Sequence, residues 1–282
     1  MNVIFIGRRA QGKSTLALYV AERVQERIGA HIIPIFDPKR TFKCVPHTNN
    51  SETFGQMLIT PGPRAIAYQP FASTGDSERR DNVWDEFSIF CDSLGIEKFL
   101  GDESPSRPDL GPVVVMLDEA WFLQSGNVVH PWLEKLVRLA DYKTFFLFQM
   151  AHRPGDISPR VRAQADEFFY FRQWLPGDVD IIEDMSGAEV AEAVSQLPNH
   201  HVIRFEVATG SWEVWARPAN WFRDISAECD KGGSDGDTSS SIDASREGGE
   251  NGPDRAIRAG DERPPGEYGS ASESDAILRS AG

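Results

Sequence analysis

The feature that most constrains the fold stands at residues 2–15, where an apolar run, NVIFI, leads directly into the loop GRRAQGKST. A continuous apolar run of this length is typical of a strand buried on both faces of a parallel sheet. Gly7, Gly12, Lys13 and Ser14 match the spacing G-x4-G-K-[ST], in which backbone N–H groups surround a phosphate. Helical spacing of apolar residues follows. The segment therefore predicts a strand, a phosphate-binding loop and a helix, in that order.

The residue types in this loop have separate roles toward a nucleoside triphosphate. Lys13 is expected to reach the β- and γ-phosphate oxygens, and Ser14 is expected to ligate Mg²⁺. Two arginines inside the loop, Arg8 and Arg9, have no explanation in the sequence and could face an adjoining subunit or solvent. ATP and Mg²⁺ are the predicted cofactors. The predicted nucleotide-binding residues are Gly7, Arg8, Arg9, Ala10, Gln11, Gly12, Lys13, Ser14 and Thr15.

A second apolar run, VVVML, ends in two carboxylates, Asp118 and Glu119. At the carboxyl end of a buried strand, Asp118 is placed to hold the Mg²⁺, and Glu119 is placed to polarise a water that attacks the γ-phosphate. A kinase that transfers phosphate to a small acceptor does not need a water-activating glutamate here. The pair therefore favours ATP hydrolysis over phosphate transfer, with Glu119 and Lys13 as catalytic residues.

The stretch FFLFQMAHRPGDISPRVRAQADEFFYFR supplies the remaining catalytic candidates. Gln149, at the tip of a buried strand, is expected to hydrogen-bond the γ-phosphate or its water. One arginine of the stretch could reach a neighbouring subunit's nucleotide as an arginine finger. The stretch contains four arginines, and at least two of them are expected to be ordinary surface or salt-bridge residues. The order of preference is Arg162, Arg160, Arg172 and Arg153.

Strand and helix signals alternate over residues 1–225, which predicts a parallel sheet with helices on both faces. The expected fold class is α/β, a three-layer P-loop NTPase (RecA/ASCE-like) with a mostly parallel central sheet. Two alternating runs around the turn ATGS predict a C-terminal β-hairpin. The run HIIPIFDP predicts a second strand, in which Pro34 is tolerable near a sheet edge.

Composition changes near residue 226. Residues 226–282 are rich in Gly, Ser, Asp and Glu and carry too little apolar surface to offset their conformational entropy, so we expect a disordered acidic tail. The expected domains are thus 1–225, a P-loop ATPase domain, and the tail. The formal net charge of -14 argues against a surface coated with non-specific nucleic-acid contacts, but it leaves room for a local basic surface.

Cysteine usage and hydropathy bear on the compartment. Cys44, Cys91 and Cys229 are widely spaced and odd in number, which predicts no disulfide framework and favours a reducing compartment. No run approaches the roughly 20 apolar residues of a membrane span, and no signal peptide is visible. We therefore expect a cytoplasmic protein without a membrane span, located in the host cytoplasm or at a virion vertex if it is viral.

Four segments in this order resemble the HerA/FtsK superfamily of P-loop ATPases, the pumps that move DNA through a ring. They are GRRAQGKST, IIPIFDPKR, VVVMLDEAW and FQMAHRPGDIS, and the resemblance covers roughly residues 1–172. The family's Gln-Arg-Pro stretch is matched here by His152-Arg153-Pro154, with Gln149 further upstream. The short chain is similar to the genome-packaging ATPases of membrane-containing viruses and phages. The resemblance carries functions over to Gly7, Gly12, Lys13, Ser14, Thr15, Asp118, Glu119 and Gln149.

The resemblance also implies partners: double-stranded DNA, a homo-oligomeric ring that is expected to be a hexamer, and capsid or portal-vertex proteins. One alternative is an assembly or secretion ATPase resembling the zonular-occludens-toxin-like proteins of filamentous phages. Another is a non-motor nucleotide-binding protein or kinase. Arg79 and Arg80 are candidate DNA contacts in a loop, although a solvated loop explains them better, and Trp212 and Trp215 are expected to pack in the core or between subunits.

Overall fold

The computed structural model describes residues 1–30, 32–60, 65–70, 79–95, 112–140 and 145–216. All of them belong to a first unit, Met1–Gly232, and residues 233–282 form a second. The predicted domain boundary at residue 225 and the predicted disorder of residues 226–282 lie outside the described residues.

Nine strands of one sheet and a two-stranded ribbon lie within the described ranges. The sheet strands are β1 (Asn2–Ile6), β2 (Ile33–Phe36), β3 (His47–Thr48), β4 (Ala65–Tyr68), β5 (Val113–Leu117), β8 (Phe145–Ala151), β9 (Glu167–Phe171), β10 (Val202–Glu206) and β11 (Trp212–Trp215). The ribbon is β6 (Gln124–Ser125) and β7 (Val128–Val129).

Helices connect most of these strands. The α-helices are α1 (Lys13–Ile28), α2 (Ser51–Ile59), α3 (Arg79–Ser93), α4 (Pro131–Leu139), α5 (Pro159–Arg162), α6 (Pro176–Ser186) and α7 (Ala188–Gln196). Two 3₁₀ turns, Ala120–Leu123 and Pro154–Asp156, follow β5 and β8. Among the described helices, none is both long and apolar enough to cross a membrane.

The strand order is β11-β10-β9-β1-β8-β5-β2-β4-β3. Neighbouring strands from β9 to β3 run parallel, and β10 and β11 add two antiparallel pairings at one end. The predicted fold class and the predicted C-terminal hairpin are therefore confirmed. Because the carboxyl ends of parallel strands meet at one edge of a sheet, the segments that follow β1, β8, β5, β2 and β4 lie along the same edge.

The sheet is buried on both faces, since alternate residues of β1 enter two different hydrophobic clusters. Ile4 and Ile6 pack in a cluster with residues of α2, α3, α4, α6 and α7. Val3 and Phe5 pack in a second cluster, which α1 covers. Trp212 and Trp215 pack against these clusters, as expected, rather than standing free. Three layers follow from this alternation.

Pro34 does not lie in an edge strand. β2 lies between β4 and β5, well inside the sheet. Pairing with β5 involves Ile35 and Phe36 only, so the residue without an N–H stands before that ladder begins.

Two further expectations need correction. Arg79 and Arg80 begin helix α3 rather than lie in a loop, and their side chains are outside the described residues. Cys44 is disulfide-bonded, which qualifies the expectation of no disulfide framework, and Cys91 is a free, buried thiol.

Candidate functional site

The loop between β1 and α1 depends on its two glycines for different reasons. A Cβ on Gly7 would lie 2.6 Å from the Cβ of Phe171 in β9, so a side chain there would collide with the neighbouring strand. Gly12 has a φ of 97°, in the left-handed region that favours glycine. The chain thereby turns at the carboxyl end of β1 and presents the amino end of the 16-residue helix α1 to the loop. A helix amino terminus of this kind binds phosphate.

The Lys13 ammonium is held inside this loop. Its side chain is buried, and Nζ donates to the carbonyl oxygen of Arg8 at 3.1 Å. Nζ also lies 3.3 Å from Nδ1 of His152, just beyond the end of β8. Burial lowers the pKa of Lys13, while the nearby carboxylates Asp118 and Glu119 act in the opposite direction.

The loop is also tied to the strand on its other side. Gln11 accepts from the Arg8 N–H through Oε1 at 2.7 Å and donates through Nε2 to the Arg172 carbonyl at 3.1 Å. The Arg8 guanidinium carbon lies 3.8 Å from the ring centroid of Trp174, a cation–π contact. Arg8, which the sequence left unexplained, is thus bound within its own chain.

Three side chains contact the Glu119 carboxylate. Its Oε1 lies 2.8 Å from His152 Nε2 and 3.2 Å from Lys39 Nζ, and its Oε2 accepts from Trp121 Nε1 at 2.5 Å. Burial alone would raise the pKa of Glu119. The hydrogen bonds from His152 and Trp121, together with the positive charge of Lys39, instead lower that pKa to about 2. The carboxylate is therefore ionised at neutral pH.

His152 links the lysine to the glutamate. An ammonium can only donate, so Nδ1 of the ring is the acceptor toward Lys13, while Nε2 lies 2.8 Å from Glu119 Oε1. The result is a chain of contacts, Lys13–His152–Glu119, that joins the loop after β1 to the strand end after β5 through the residue after β8.

Asp118 lies beside a second buried carboxylate, Asp37. Its Oδ2 accepts from Thr41 Oγ1 at 2.6 Å. Burial and the charge of Asp37 raise the pKa of Asp118 to about 7. A divalent cation would relieve this repulsion, and the Ser14 hydroxyl and Asp118 carboxylate are oxygen donors of the kind that Mg²⁺ prefers.

The donor set also fits Mg²⁺ in number. The described residues contain no group of three or more His, Cys, Asp and Glu able to hold a metal by themselves. Mg²⁺ is commonly bound through one or two protein oxygens, with water and substrate phosphates completing its shell. Ser14 and Asp118 thus fit a metal that arrives with a nucleotide.

Solved structures share this architecture at low sequence identity. The genome packaging NTPase B204 from Sulfolobus turreted icosahedral virus 2, in complex with ATP-gammaS, matches with a TM-score of 0.54 at 17% identity, over 77% of this chain and 96% of that one. VirB4 of Thermoanaerobacter pseudethanolicus matches with a TM-score of 0.53 at 11% identity, over 77% and 89%. No family model and no curated protein sequence matches.

The chain has a P-loop NTPase fold, the fold that these two structures share. Within that fold, the structure brings Lys13, Asp118 and Glu119 together at one sheet edge, as the sequence predicts.

Gln149 is not brought to this group. Its side chain is fully buried two residues before the end of β8, and Nε2 donates to Asn2 Oδ1 at 2.8 Å. Asn2 begins β1, whereas Lys13 and Glu119 lie beyond the opposite end of the parallel strands. The role of Gln149 as a γ-phosphate sensor stays a prediction, and His152 is the side chain from β8 that reaches the P-loop of this ATPase fold.

The four arginines differ in how firmly their own chain holds them. Arg153 donates through Nε to Asp178 at 3.0 Å, and Arg162 reaches the Pro154 carbonyl at 3.4 Å. Arg172 is half-buried. The Arg160 side chain is 67% exposed, and its Nη1 lies 3.6 Å from Glu134 Oε1, a long distance for an ion pair. The arginine finger stays a prediction, and this geometry favours Arg160 over Arg162.

Sequence reasoning missed Lys39, Thr41 and His152 as site residues. The first two stand in the segment FDPKRT, which begins at the last residue of β2. Polar residues at the end of a buried strand are the signal that could have placed them, because such ends meet at the ligand-binding edge. His152 follows β8 in the same way.

Proposed function

We propose that this chain is an ATP-hydrolysing ring motor that translocates double-stranded DNA and packages a viral genome. One observation carries the hydrolytic part: a buried, ionised Glu119 is held next to the P-loop lysine through His152. The fold shared with a genome packaging NTPase supports the motor part. A homo-oligomeric ring and capsid or portal-vertex partners belong to the same proposal.

The contacts at the site suggest how nucleotide binding could activate the glutamate. In the present arrangement, Lys13 is bound to the Arg8 carbonyl and to His152, and Glu119 is a weak base because three donors stabilise its charge. Phosphate oxygens are stronger partners for an ammonium than a carbonyl or a neutral imidazole. When Lys13 moves onto them, His152 is released to readjust, and Glu119 gains basicity toward water.

Mg²⁺ bound to Ser14 and Asp118 would neutralise charge that develops on the phosphates. Glu119 would accept a hydrogen bond from the attacking water, which is the role that a phosphate-transferring kinase does not require. An assembly or secretion ATPase would use the same chemistry without DNA, so DNA dependence distinguishes it from a motor.

The deciding experiment measures ATP hydrolysis by the purified chain with and without double-stranded DNA, together with its mass in solution. Stimulation by DNA and a mass corresponding to a ring are expected. A monomer whose hydrolysis ignores DNA would contradict the motor. Hydrolysis by a ring that ignores DNA would favour the assembly ATPase.

Glu119→Gln tests the hydrolytic role. Removing the carboxylate charge takes away the group that orients water, so turnover is expected to fall by roughly 100-fold or more. ATP binding should persist, because Lys13 and the loop remain, and a fluorescent ATP analogue measures it. Glu189→Gln, on the exposed side of α7, is the matched control. Unchanged turnover in Glu119→Gln would reject the assignment.

A further inference from the structure

A cationic cleft lies at the same sheet edge as the ATPase site but beyond β5. Its volume is about 420 Å³. The residues that line it are Arg40, Lys43, His47, Thr48, Asn49 and Gln69. They come from the segments around β2, β3 and β4, at the end of the sheet opposite the hairpin.

Among the described residues, no ion pair balances the positive charge of this cleft. None of the six lining residues is a carboxylate. Within the described ranges, neither Arg40 nor Lys43 takes part in an ion pair, and Arg40 Nε is buried without a hydrogen-bond partner. A buried donor without an acceptor loses its hydration with nothing in exchange, so its position favours an incoming anion. Such a surface is notable in a chain whose formal net charge is -14.

The cleft is separate from the P-loop. β4 stands four strands away from β1 in the sheet order, which corresponds to about 19 Å at about 4.8 Å per strand. The residues that line the cleft are also different from those that surround Lys13 and Glu119. A nucleotide bound by the P-loop of the same subunit would therefore leave the cleft accessible.

Hydrogen bonds and an ion pair nevertheless connect the cleft to the catalytic carboxylates. The Asp37 carboxylate accepts from the backbone N–H groups of Thr41 and Phe42, at 2.9 and 3.0 Å, and from Gln69 Nε2 at 2.8 Å. This fixes the segment that carries Arg40 and Lys43 against one wall of the cleft. In the same segment, Thr41 donates to Asp118 and Lys39 pairs with Glu119.

We infer that this cleft binds the phosphodiester backbone of the double-stranded DNA that the proposed motor moves. Two unpaired cations and several neutral hydrogen-bonding groups suit phosphate and sugar, which a motor must grip without reading sequence. A phosphate drawn between Arg40 and Lys43 pulls on the segment that also positions Asp118 and Glu119. DNA binding is thereby communicated to hydrolysis. The inference rests on the proposed function and names the DNA contact of that motor.

The test compares DNA binding by the full chain and by the double variant Arg40→Asn/Lys43→Ala. Asparagine is chosen because Arg40 has a φ of 58°, a conformation that asparagine tolerates. Binding to a 30-base-pair duplex is measured by fluorescence anisotropy at several salt concentrations, without nucleotide. Affinity is expected to fall about tenfold or more, and the slope of log K against log salt should flatten by about 2.

Two controls bracket the effect. Arg23→Ala/Arg138→Ala removes the same charge from the exposed faces of α1 and α4, and it should bind DNA as the unaltered chain does. Arg40→Lys/Lys43→Arg keeps the charge and should also keep the affinity. If the asparagine variant does not fold, Lys43→Ala alone, on an exposed side chain, should flatten the salt slope by about 1.

Measurements of ATP hydrolysis distinguish a failure of this inference from a failure of the proposed function. The Arg40→Asn/Lys43→Ala chain should hydrolyse ATP without DNA within about twofold of the unaltered chain and should lose DNA stimulation. Unchanged DNA binding, or equal weakening in the Arg23/Arg138 control, would overturn the inference and leave the motor standing. Loss of DNA-free hydrolysis with intact DNA binding would mean that the cleft serves a neighbouring subunit's nucleotide. If the unaltered chain binds no DNA, the proposed function itself fails.

Discussion

At the scale of single residues, the side chain of His152 has two partners of opposite character. Its Nδ1 faces the Lys13 ammonium at 3.3 Å, and its Nε2 faces the Glu119 carboxylate at 2.8 Å. A neutral imidazole satisfies both at once, because one ring nitrogen accepts and the other donates. In the proposed hydrolysis, His152 is therefore a positioning residue that acts through Glu119 and Lys13.

His152→Ala should lower kcat for ATP by about 10- to 100-fold with a smaller change in KM, because misplaced catalytic groups lose rate more than binding. His152→Gln should recover part of the loss, since an amide also offers one donor and one acceptor. Steady-state kinetics measure both variants, with His201→Ala as a control outside the site. An unchanged kcat in His152→Ala, or a glutamine variant no better than the alanine, would contradict this role.

The residues of the site differed in how readily the sequence identified them. Gly7, Lys13, Asp118 and Glu119 stand in short motifs directly after apolar runs, so local pattern suffices. The partners of Lys13 and Glu119 could not be found in this way, because the contact between Lys13 and His152 joins residues that are 139 positions apart. Only the adjacency of β1, β8 and β5 brings them together.

At the scale of elements, the turn after β1 is shaped by how closely β9 approaches it. Phe171, the last residue of β9, leaves no room for a Cβ at Gly7. Both strands are fully paired in the sheet, so neither can move away without loss of ladder hydrogen bonds. The first glycine of the motif therefore has a packing role here in addition to the role toward phosphate that the sequence predicts.

Gly7→Ala is expected to destabilise the fold by about 1–3 kcal/mol, the usual cost of overpacking, and to weaken ATP binding as the loop shifts. Urea unfolding followed by circular dichroism measures the change. Gly177→Ala is the matched control, because a Cβ there meets nothing within 4 Å and the residue lies in α6. Equal stability of the two variants would show that the contact with Phe171 can relax freely.

Element order was more predictable than element position. The alternation of strands and helices, the buried β1, β5 and β8, and the terminal hairpin follow from apolar runs and turn residues. The placement of β2 inside the sheet did not follow, since strand order is set by crossovers between distant segments. The short β3 and the helix α2 carry too few apolar residues for a clear pattern, with only Phe54 of α2 fully buried.

At the scale of the whole molecule, the proposed ring requires a residue that acts across the subunit boundary. Arg160→Ala and Glu119→Gln should each lower hydrolysis strongly when tested alone. If Arg160 is the finger, the loss in Arg160→Ala should be about 10³-fold or more. Mixed rings should regain hydrolysis, because a glutamine subunit supplies Arg160 to the intact Glu119 of its neighbour. Phosphate release from mixtures of the two chains measures this. No recovery on mixing would reject Arg160 as a finger acting between subunits.

Truncation tests the domain boundary. A chain ended at Ser226 is expected to keep full ATP hydrolysis, because the acidic composition of the remainder cannot form a core. A second chain ended at Gly232 follows the division of the structure into units. If the chain that ends at Gly232 is active and the chain that ends at Ser226 is not, the sequence-based boundary at residue 225 is wrong and the unit boundary is right.

The sequence by itself determined the glycine-rich loop after β1, the acidic strand end and the α/β class, because each depends on residues that are neighbours in the chain. The tertiary structure decided the rest. It placed His152 rather than Gln149 between Lys13 and Glu119, bound Arg8 to Trp174, and set Thr41 against Asp118. The physical reason is that a parallel sheet gathers the carboxyl ends of distant strands at one edge, and the order of those strands is not written in any local pattern.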